Sequence, residues 1–416
     1  MQTPTAAETN AKEELKQLYQ EMDYGCEYSD NLPGLLSALN ISLAFTSYQA
    51  GRLMLVRTDG DSIDVNFTAF PRPMGLACQG DSLTLGTFTQ VIQFSREDHL
   101  LPQLKQPLPG IDQDITAPKL HRPTKADTPT APEQPALTEE QLAHRKEQQA
   151  FIRQQFAPLE PHTDACFITR SSHHTGMINI HDIAWGSSGL WAVNSSFSCL
   201  CTLDSNYSFV PRWQPHFISE LTPEDRCHLN GMTLRDGQPR YVTTFSTSDQ
   251  PGKWRDSDKS TGTLMDVQSN EFLLQGLMMP HSPRWHDGNL YVCESGHGLF
   301  CRYNFDTGEK QVVAELPGFT RGVDFIGPIA IVGLSKVRQS DVSRPAPLAQ
   351  KYPETHSGLW FIDLRSAEVI GTLSFTGNVD QIYDVAVLPD CTFPALIEPH
   401  HPRMRNHFTF SELQPL

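Results

Sequence analysis

Three histidines lie near equivalent places in the chain, each just before a short hydrophobic segment. His181 begins HDIAW, His228 begins HLNGM and His281 begins HSPRW. An imidazole can serve both as a metal ligand and as a general base near neutral pH. Their recurrence at matching places therefore points to a site for binding or catalysis.

Oxygen-bearing side chains accompany these histidines. Asp182 and Asn230 follow two of them closely, and Asp384 takes the matching place in YDVAV near the C-terminus. Carboxylate and amide oxygens are the ligands that hard cations such as calcium prefer. One interpretation is therefore a divalent-metal site formed by Asp182, Asn230 and Asp384. The alternative is that these residues cap turns or line a water-filled channel.

Cationic side chains lie in the same segments. Arg284, Arg321 and Lys336 are suited to hold an anionic ligand such as a carboxylate or a phosphate. Ion pairs with acidic neighbours are the alternative. The candidate ligand-binding residues are His181, Asp182, His228, Asn230, His281, Ser282, Arg284, Arg321, Lys336 and Asp384.

A repeated unit of short strands must position these residues. Each copy starts with a polar or small residue and a hydrophobic pair, passes through a glycine-containing turn and continues into further strands. The clearest copy is SPRWHDGNLYVCESGHGLFCRYNFDTGE. Strand repeats of roughly 40 to 60 residues are typical of propeller blades. The sequence therefore predicts an all-β fold, a six-bladed β-propeller.

The predicted blades have six inner strands. They begin near Met74, Asp182, Asn230, Ser282, Arg321 and Asp384. The last unit lacks outer strands, and the N-terminal part has spare ones, so strands from both chain ends should close one blade. The first residues of the inner strands share one mouth of the central channel. We expect the candidate residues to meet there.

Two segments depart from the strand pattern. Residues 11–22 have the apolar spacing of a short N-terminal helix, and residues 101–157 form a Pro-rich insertion with a helix near 138–155. The expected organisation is a helix and lead-in (1–40), propeller (41–100), insertion (101–157), propeller (158–398) and C-terminal tail (399–416).

Composition restricts the partners and the compartment. A net charge of -16 disfavours nucleic acid and anionic membranes as partners. No apolar run approaches the roughly 18 residues that a bilayer span needs, and the N-terminus lacks a secretory pattern. The nine cysteines include no CxxC pair, so we expect reduced thiols in the cytoplasm. No GxSxG, P-loop or HExxH motif is present.

Several long segments resemble a bacterial family of conserved hypothetical proteins that carry a domain of unknown function. Among them are HDIAWGSSGLWAVNSSFSCLCTLD, MPHSPRWHDG, LPGFTRGVDF and VGLSKVR. The resemblance runs from Leu43 to Pro394 apart from the insertion. It implies a propeller-like fold and no established activity.

A looser similarity is to the regucalcin, gluconolactonase and strictosidine synthase group of six-bladed propellers. It is carried by Asn230-Gly231. In that group an Asn-Gly at the start of an inner strand contributes to a divalent-metal site. The first blade departs from the pattern, because Met74 stands where an acidic ligand would be expected.

Two functions compete at this point. The first is binding of a small polar or anionic molecule, or of a protein partner, at the channel mouth. The second is a metal-dependent hydrolase or isomerase, similar to the lactonases, that uses a cation held at that mouth. Fold alone does not decide between them, because propellers host many functions.

Overall fold

The computed structural model describes residues 23–107, 157–337 and 346–413. Within these ranges the strands form six separate sheets, each of four or five strands. Five of the sheets are wholly antiparallel, and one outer strand of the sixth is parallel to its neighbour. The six sheets are the blades of a propeller, so the predicted fold class is confirmed. Both predicted helices, at 11–22 and 138–155, lie outside the described residues.

Within each blade the strands succeed one another from the channel outward. Blade 1 contains β25 (Val385–Pro389), β2 (Ile41–Ser47), β3 (Arg52–Thr58) and β4 (Ile63–Ala69). Blade 2 contains β5 (Leu76–Gln79), β6 (Ser82–Gly86), β7 (Gln90–Arg96), β8 (Ala165–His174) and β26 (Pro394–Ile397). Blade 3 contains β9 (Ile180–Gly186), β10 (Gly189–Asn194), β11 (Cys199–Asp204) and β12 (Tyr207–Trp213).

The other three blades follow the same pattern. Blade 4 contains β13 (Leu229–Arg235), β14 (Gln238–Thr244), β15 (Gly262–Asp266) and β16 (Glu271–Leu277). Blade 5 contains β17 (Pro280–His286), β18 (Asn289–Glu294), β19 (Leu299–Asn304) and β20 (Glu309–Glu315). Blade 6 contains β21 (Phe319–Ile326), β22 (Ile329–Ser335), β23 (Gly358–Asp363), β24 (Glu368–Phe375) and β1 (Cys26–Tyr28).

Both chain ends take part in closing the ring. The C-terminal strand β25 pairs with β2, with Val385 opposite Phe45, and this confirms the predicted closure of one blade from both ends. The chain ends also cover two outer edges, because β1 pairs with β24 and β26 pairs with β8. Covering an edge removes unpaired backbone groups that would otherwise recruit other chains.

Short helices fill the gaps around the ring. They are α1 (Leu32–Leu39), α2 (Leu101–Leu104), α3 (Pro347–Lys351) and the 3-10 turns Asp98–Leu100, Lys253–Arg255, Ser295–His297 and Pro402–Arg405. Helix α1 buries Leu32 and Leu36 in the core between blades 1 and 6, against Phe45 and Phe361. No helix in the described ranges has the length and apolar character that crossing a bilayer requires.

Hydroxyl groups tie the start of one blade to the next. Ser195, Ser295 and Ser335 each donate a hydrogen bond to a carbonyl oxygen at the start of the following inner strand. The distance is 2.6 Å from Ser295 Oγ to Thr320 O and 2.9 Å from Ser335 Oγ to Ile382 O. These bonds hold the channel wall together at the end where the inner strands begin.

Candidate functional site

Backbone pairing shows which residues are equivalent around the channel. Blades 1, 3 and 5 place a polar side chain at the same point of the inner strand, and blades 2, 4 and 6 place a glycine there. In blade order these residues are Asp384, Gly75, Asp182, Gly231, Ser282 and Gly322. The sequence-based alignment, which put Met74, Asn230 and Arg321 at this point, is out of register by one residue in alternate blades.

The glycines allow the inner strands to approach closely. A Cβ atom at Gly322 would lie 2.8 Å from the Cα of Asp384, and its φ of +73° is unfavourable for other residues. At the other three interfaces between blades, a polar side chain accepts a hydrogen bond from the backbone of the next blade. Asp384 accepts from the amide of Leu76 at 2.9 Å, and Asp182 accepts from the amide of Met232 at 3.0 Å.

An ion cluster closes the middle of the channel, and we call it the channel waist: Asp182, Arg284 and Asp384. The Arg284 guanidinium lies 2.7 Å from Asp182 Oδ2 and 3.1 Å from Asp384 Oδ1. It also donates to the carbonyl oxygens of Met232 and Val323, at 3.2 and 3.0 Å. One arginine thus joins carboxylates from blades 1 and 3.

The waist is electrostatically unbalanced, with two carboxylates for one arginine. Burial raises the pKa of Asp384 to about 7, an effect that Arg284 opposes and that the charge of Asp182 reinforces. The pKa of Arg284 is raised, because the two carboxylates outweigh the effect of its own burial. Arg284 therefore stays charged and remains the cation of this cluster.

The residues proposed as metal ligands already have protein partners. The space between Asp182 and Asp384 is taken by Arg284. Asn230 lies outside the waist: its amide nitrogen donates to Pro280 O at 3.0 Å, and its oxygen accepts from Thr243 Oγ1 at 2.7 Å. Across the described part of the chain, no three His, Cys, Asp or Glu side chains are grouped as a metal site.

A second group of candidates lines a cavity where the inner strands begin, and we call this cavity the histidine mouth. Its volume is about 220 Å³. The lining residues are His228, Phe245, Trp254, Lys259, Met279, His281, Phe319, Arg321, Lys336, Val337 and Gln381. They include three cations and no carboxylate, in a protein whose net charge is -16.

Two of the histidines are held in the same way. The Nδ1 atom of His281 lies 3.1 Å from Met279 O and 2.8 Å from Ser295 Oγ. A carbonyl oxygen only accepts, so Nδ1 carries the proton. His181 repeats the arrangement, with Nδ1 2.8 Å from Asn179 O and 2.7 Å from its own serine, Ser195. Burial holds the pKa of both imidazoles well below the usual value, so both are neutral at pH 7.

The third histidine is paired with a carboxylate. Asp225 Oδ1 lies 3.0 Å from the Nδ1 atom of His228. The same carboxylate accepts from Trp254 Nε1 at 3.0 Å and from Arg255 at 2.8 Å, so its position is fixed. Both Asp225 and His228 have left-handed backbone conformations, with φ of 48° and 51°. Non-glycine residues in this conformation are uncommon and are enriched at functional sites.

Arg321 supplies the buried cation of the mouth. Only 8% of the residue is exposed, and its guanidinium lies 3.8 Å from the centroid of the Tyr383 ring. Its Nε atom is buried and has no hydrogen-bond partner among the described residues. Burial lowers the pKa of Arg321. A buried, incompletely bonded guanidinium is a donor available to an anion.

Two further cations stand at the rim. Lys336 Nζ lies 2.9 Å from Asp380 and remains about one-third exposed. Lys259 Nζ donates to the carbonyl oxygen of Arg255 at 2.7 Å and lies 5.5 Å from the centre of the Trp254 ring. Asp380, the acidic partner of Lys336, is not among the lining residues, and so no carboxylate faces the cavity.

The structure thus divides the predicted site residues into three places. His181, His228, His281, Arg321 and Lys336 gather at the histidine mouth, although His181 lies behind the lining, with its ring centre 4.7 Å from that of His228. Asp182, Arg284 and Asp384 form the waist. Asn230 and Ser282 are wall residues, and Ser282 Oγ accepts from the amide of Gly322 at 2.9 Å.

The family of the chain follows from comparison with known proteins. The family described as Domain of unknown function (DUF4915) matches residues 30–119 and 133–397. The chain belongs to this family. This confirms the expected membership of a family defined by a domain of unknown function. The comparisons do not bear out the looser similarity to the lactonase group.

Two solved structures match this DUF4915 protein over most of its length. One is the crystal structure of a nidogen/laminin complex, with 9% identity, 84% of this chain and 99% of that chain covered, and a TM-score of 0.47. The other is a protein of unknown function from Bacteroides caccae, with 9% identity, 84% and 98% covered, and a TM-score of 0.43. No curated protein matches the chain.

Proposed function

We propose that this DUF4915 protein binds a small anionic molecule at the histidine mouth. The observation that carries the proposal is the lining of the cavity, which combines three cations with no carboxylate in a strongly acidic protein. Such a reversal of sign concentrates anions locally and repels cations. Arg321 is the central donor, because it is buried and its Nε lacks a partner among the described residues.

The form of the cavity supports a small molecule over a flat protein interface. The mouth is a concave space of about 220 Å³ with aromatic walls from Phe245, Trp254 and Phe319. Ligand sites combine such apolar walls with a few placed polar groups, whereas stable protein interfaces bury far larger areas. A protein partner therefore fits this site less well.

A metal-dependent hydrolase or isomerase is not favoured. That function needs Asp182 and Asp384 to face a cation, and Arg284 occupies the position between them. Asn230 is engaged with Pro280 and Thr243. The oxygen ligands that such an enzyme would use are therefore already engaged by the protein.

The test is calorimetric titration of the full chain with malate, citrate and inorganic phosphate at constant ionic strength. Arg321→Gln should weaken binding roughly tenfold or more, since it removes a charge-assisted hydrogen bond from a buried position. Arg235→Gln is the matched control, because Arg235 also packs over an aromatic ring, 4.5 Å from the centre of Trp285, and is not among the lining residues. Equal affinity in wild type and Arg321→Gln would contradict the proposal.

A further inference from the structure

The histidine mouth offers two different kinds of hydrogen-bonding group. Arg321, Lys259 and Lys336 carry only donors. His228 and His281 line the same cavity, and the Nδ1–H group of each is already engaged by the protein. The nitrogen that remains for a ligand is Nε2, which in the neutral ring is an acceptor.

This arrangement restricts the chemistry of the ligand. A simple anion such as succinate or phosphate presents acceptor oxygens, which match the cations but face the imidazole lone pairs unfavourably. A ligand that satisfies both kinds of group needs an anionic end and a hydrogen-bond donor. Leaving a buried acceptor without a donor costs free energy, so a ligand with both groups has the advantage.

We propose that the anion bound at the histidine mouth also carries a hydroxyl group, which donates a hydrogen bond to the Nε2 atom of His281. This inference rests on the proposed anion site and specifies its ligand as a hydroxylated carboxylate or phosphate.

The charge of the cavity selects a hydroxyl over an ammonium group. An ammonium group would also donate to an imidazole, but Arg321, Lys259 and Lys336 line the same space of about 220 Å³ and would repel it. A hydroxyl donates without adding positive charge. The walls formed by Phe245, Trp254 and Phe319 suit the carbon skeleton that joins the two ends of such a ligand.

The histidines are held firmly enough to make this selection. The carboxylate of Asp225 fixes the ring of His228, and Trp254 lies against that ring with a centroid distance of 3.9 Å. Ser295 accepts from His281 while donating to Thr320 O, so it does not compete as a donor to that imidazole. The neutral His281 ring therefore presents an acceptor to the cavity.

The experiment compares matched ligands on the full chain by calorimetric titration. One series is malate, succinate and aspartate, and the other is 3-hydroxypropyl phosphate, propyl phosphate and 3-aminopropyl phosphate. Within each series the members differ at one position, by a hydroxyl, no donor or an ammonium group. We expect the hydroxylated member of at least one series to bind roughly two- to tenfold more tightly than its unsubstituted analogue, the gain of one hydrogen bond.

A pair of variants ties this preference to the imidazole. His281→Phe keeps an aromatic ring beside Phe245 and Phe319 but removes the acceptor, so the hydroxyl preference should disappear while the unsubstituted analogue still binds. His286→Phe is the control, because His286 stacks on Phe325 and is not a lining residue.

Each outcome of this comparison has a definite meaning. Equal binding of hydroxylated and unsubstituted members, or tightest binding of the amino member, would overturn the hydroxyl inference and leave the anion site standing. A hydroxyl preference that the His281→Phe variant retains would also overturn it. If no member of either series binds to the wild-type protein, both the anion site and this inference fail.

Discussion

The channel contains two enclosed arginines with opposite surroundings. Arg284 at the waist is held by two carboxylates and by backbone carbonyl oxygens, although 17% of its side chain is exposed. Arg321 at the histidine mouth is only 8% exposed and forms no salt bridge among the described residues. The more buried arginine has the fewer partners.

The two arginines therefore differ in their roles: Arg284 stabilises the fold, and we propose that Arg321 binds a ligand. The waist joins three blades, and each of its charged groups has a partner of opposite charge, so it stabilises the contact between the blades. The mouth keeps one guanidinium and the Nε2 atoms of its lining histidines available, which is costly in a protein interior unless something else binds there. Each place holds an enclosed arginine, and the two arginines differ in how completely the protein bonds them.

The largest expected effect on stability comes from removing the arginine of the channel waist. Arg284→Met should lower the free energy of unfolding by about 3–5 kcal/mol, because it leaves the buried carboxylates of Asp182 and Asp384 without their cation. Chemical denaturation measures this, with Arg302→Met on an outer strand of blade 5 as the control. A loss of unfolding free energy below about 1 kcal/mol would show that the waist does not stabilise the contact between the blades.

The pH dependence of stability sharpens the description of the waist. The pKa of Asp384 is raised to about 7 in the folded protein, above the value of about 3.9 in an unfolded chain. The folded state therefore binds this proton more tightly, and the resulting stabilisation is complete at low pH and disappears as the pH rises through about 7. Asp384→Asn removes it.

Denaturation of wild type and Asp384→Asn at several pH values tests this directly. We expect the advantage of the wild type over Asp384→Asn to be larger at pH 5 than at pH 8. A difference that is constant across this range, or that grows with pH, would show that Asp384 is ionised throughout. Taking the difference between the two proteins cancels the titration of groups they share.

The smallest predicted effect concerns the support of His281. Ser295→Ala removes an acceptor from Nδ1–H and a donor to Thr320 O, and should cost about 1 kcal/mol of stability. Met279 O still accepts from Nδ1, so the tautomer should persist in ¹⁵N spectra of histidine-labelled protein. Appearance of the Nε2–H tautomer would instead place a donor in the mouth and contradict the account of ligand selection.

Much of the fold is readable in the sequence because each blade repeats the same strand and turn pattern. The six inner strands and the closure by β25 followed from hydrophobic periodicity and counting. Helix α1 was not predicted: its sequence LPGLLSAL is short, and it is stabilised by packing between blades 1 and 6. The additional edge strands β1 and β26 were also missed, because three or four residues carry little periodic signal.

The sequence predicted the residues of the candidate site but not which of them lie together in the structure. The sequence-based alignment matched polar side chains and passed over the glycines that are equivalent to Asp182, so it put Asn230 and Arg321 at a position that they precede by one residue. Trp254 lies in the segment that connects β14 to β15, and Asp225 lies just before β13. Hydrophobic periodicity does not reveal where either residue will lie relative to His228.

A regular interval in the sequence also marks the histidine supports, although the prediction missed it. His181 and His281 are each followed fourteen residues later by the serine that accepts from Nδ1, Ser195 and Ser295. The same interval in two blades marks a repeated support for a channel histidine. The tautomer itself is set by the carbonyl oxygen two residues before each histidine, Asn179 O or Met279 O.

The central claim is that the waist is complete in itself whereas the mouth is reserved for a ligand. The most direct test is denaturation of Arg321→Met beside Arg284→Met in buffer without small organic anions. We predict that Arg321→Met keeps the stability of the wild type to within about 1 kcal/mol or exceeds it, because a buried, poorly bonded charge is replaced by an apolar side chain, while Arg284→Met loses several times more. A loss of stability in Arg321→Met as large as that in Arg284→Met would show that both arginines stabilise the fold through bonds to the protein, and this would contradict the account.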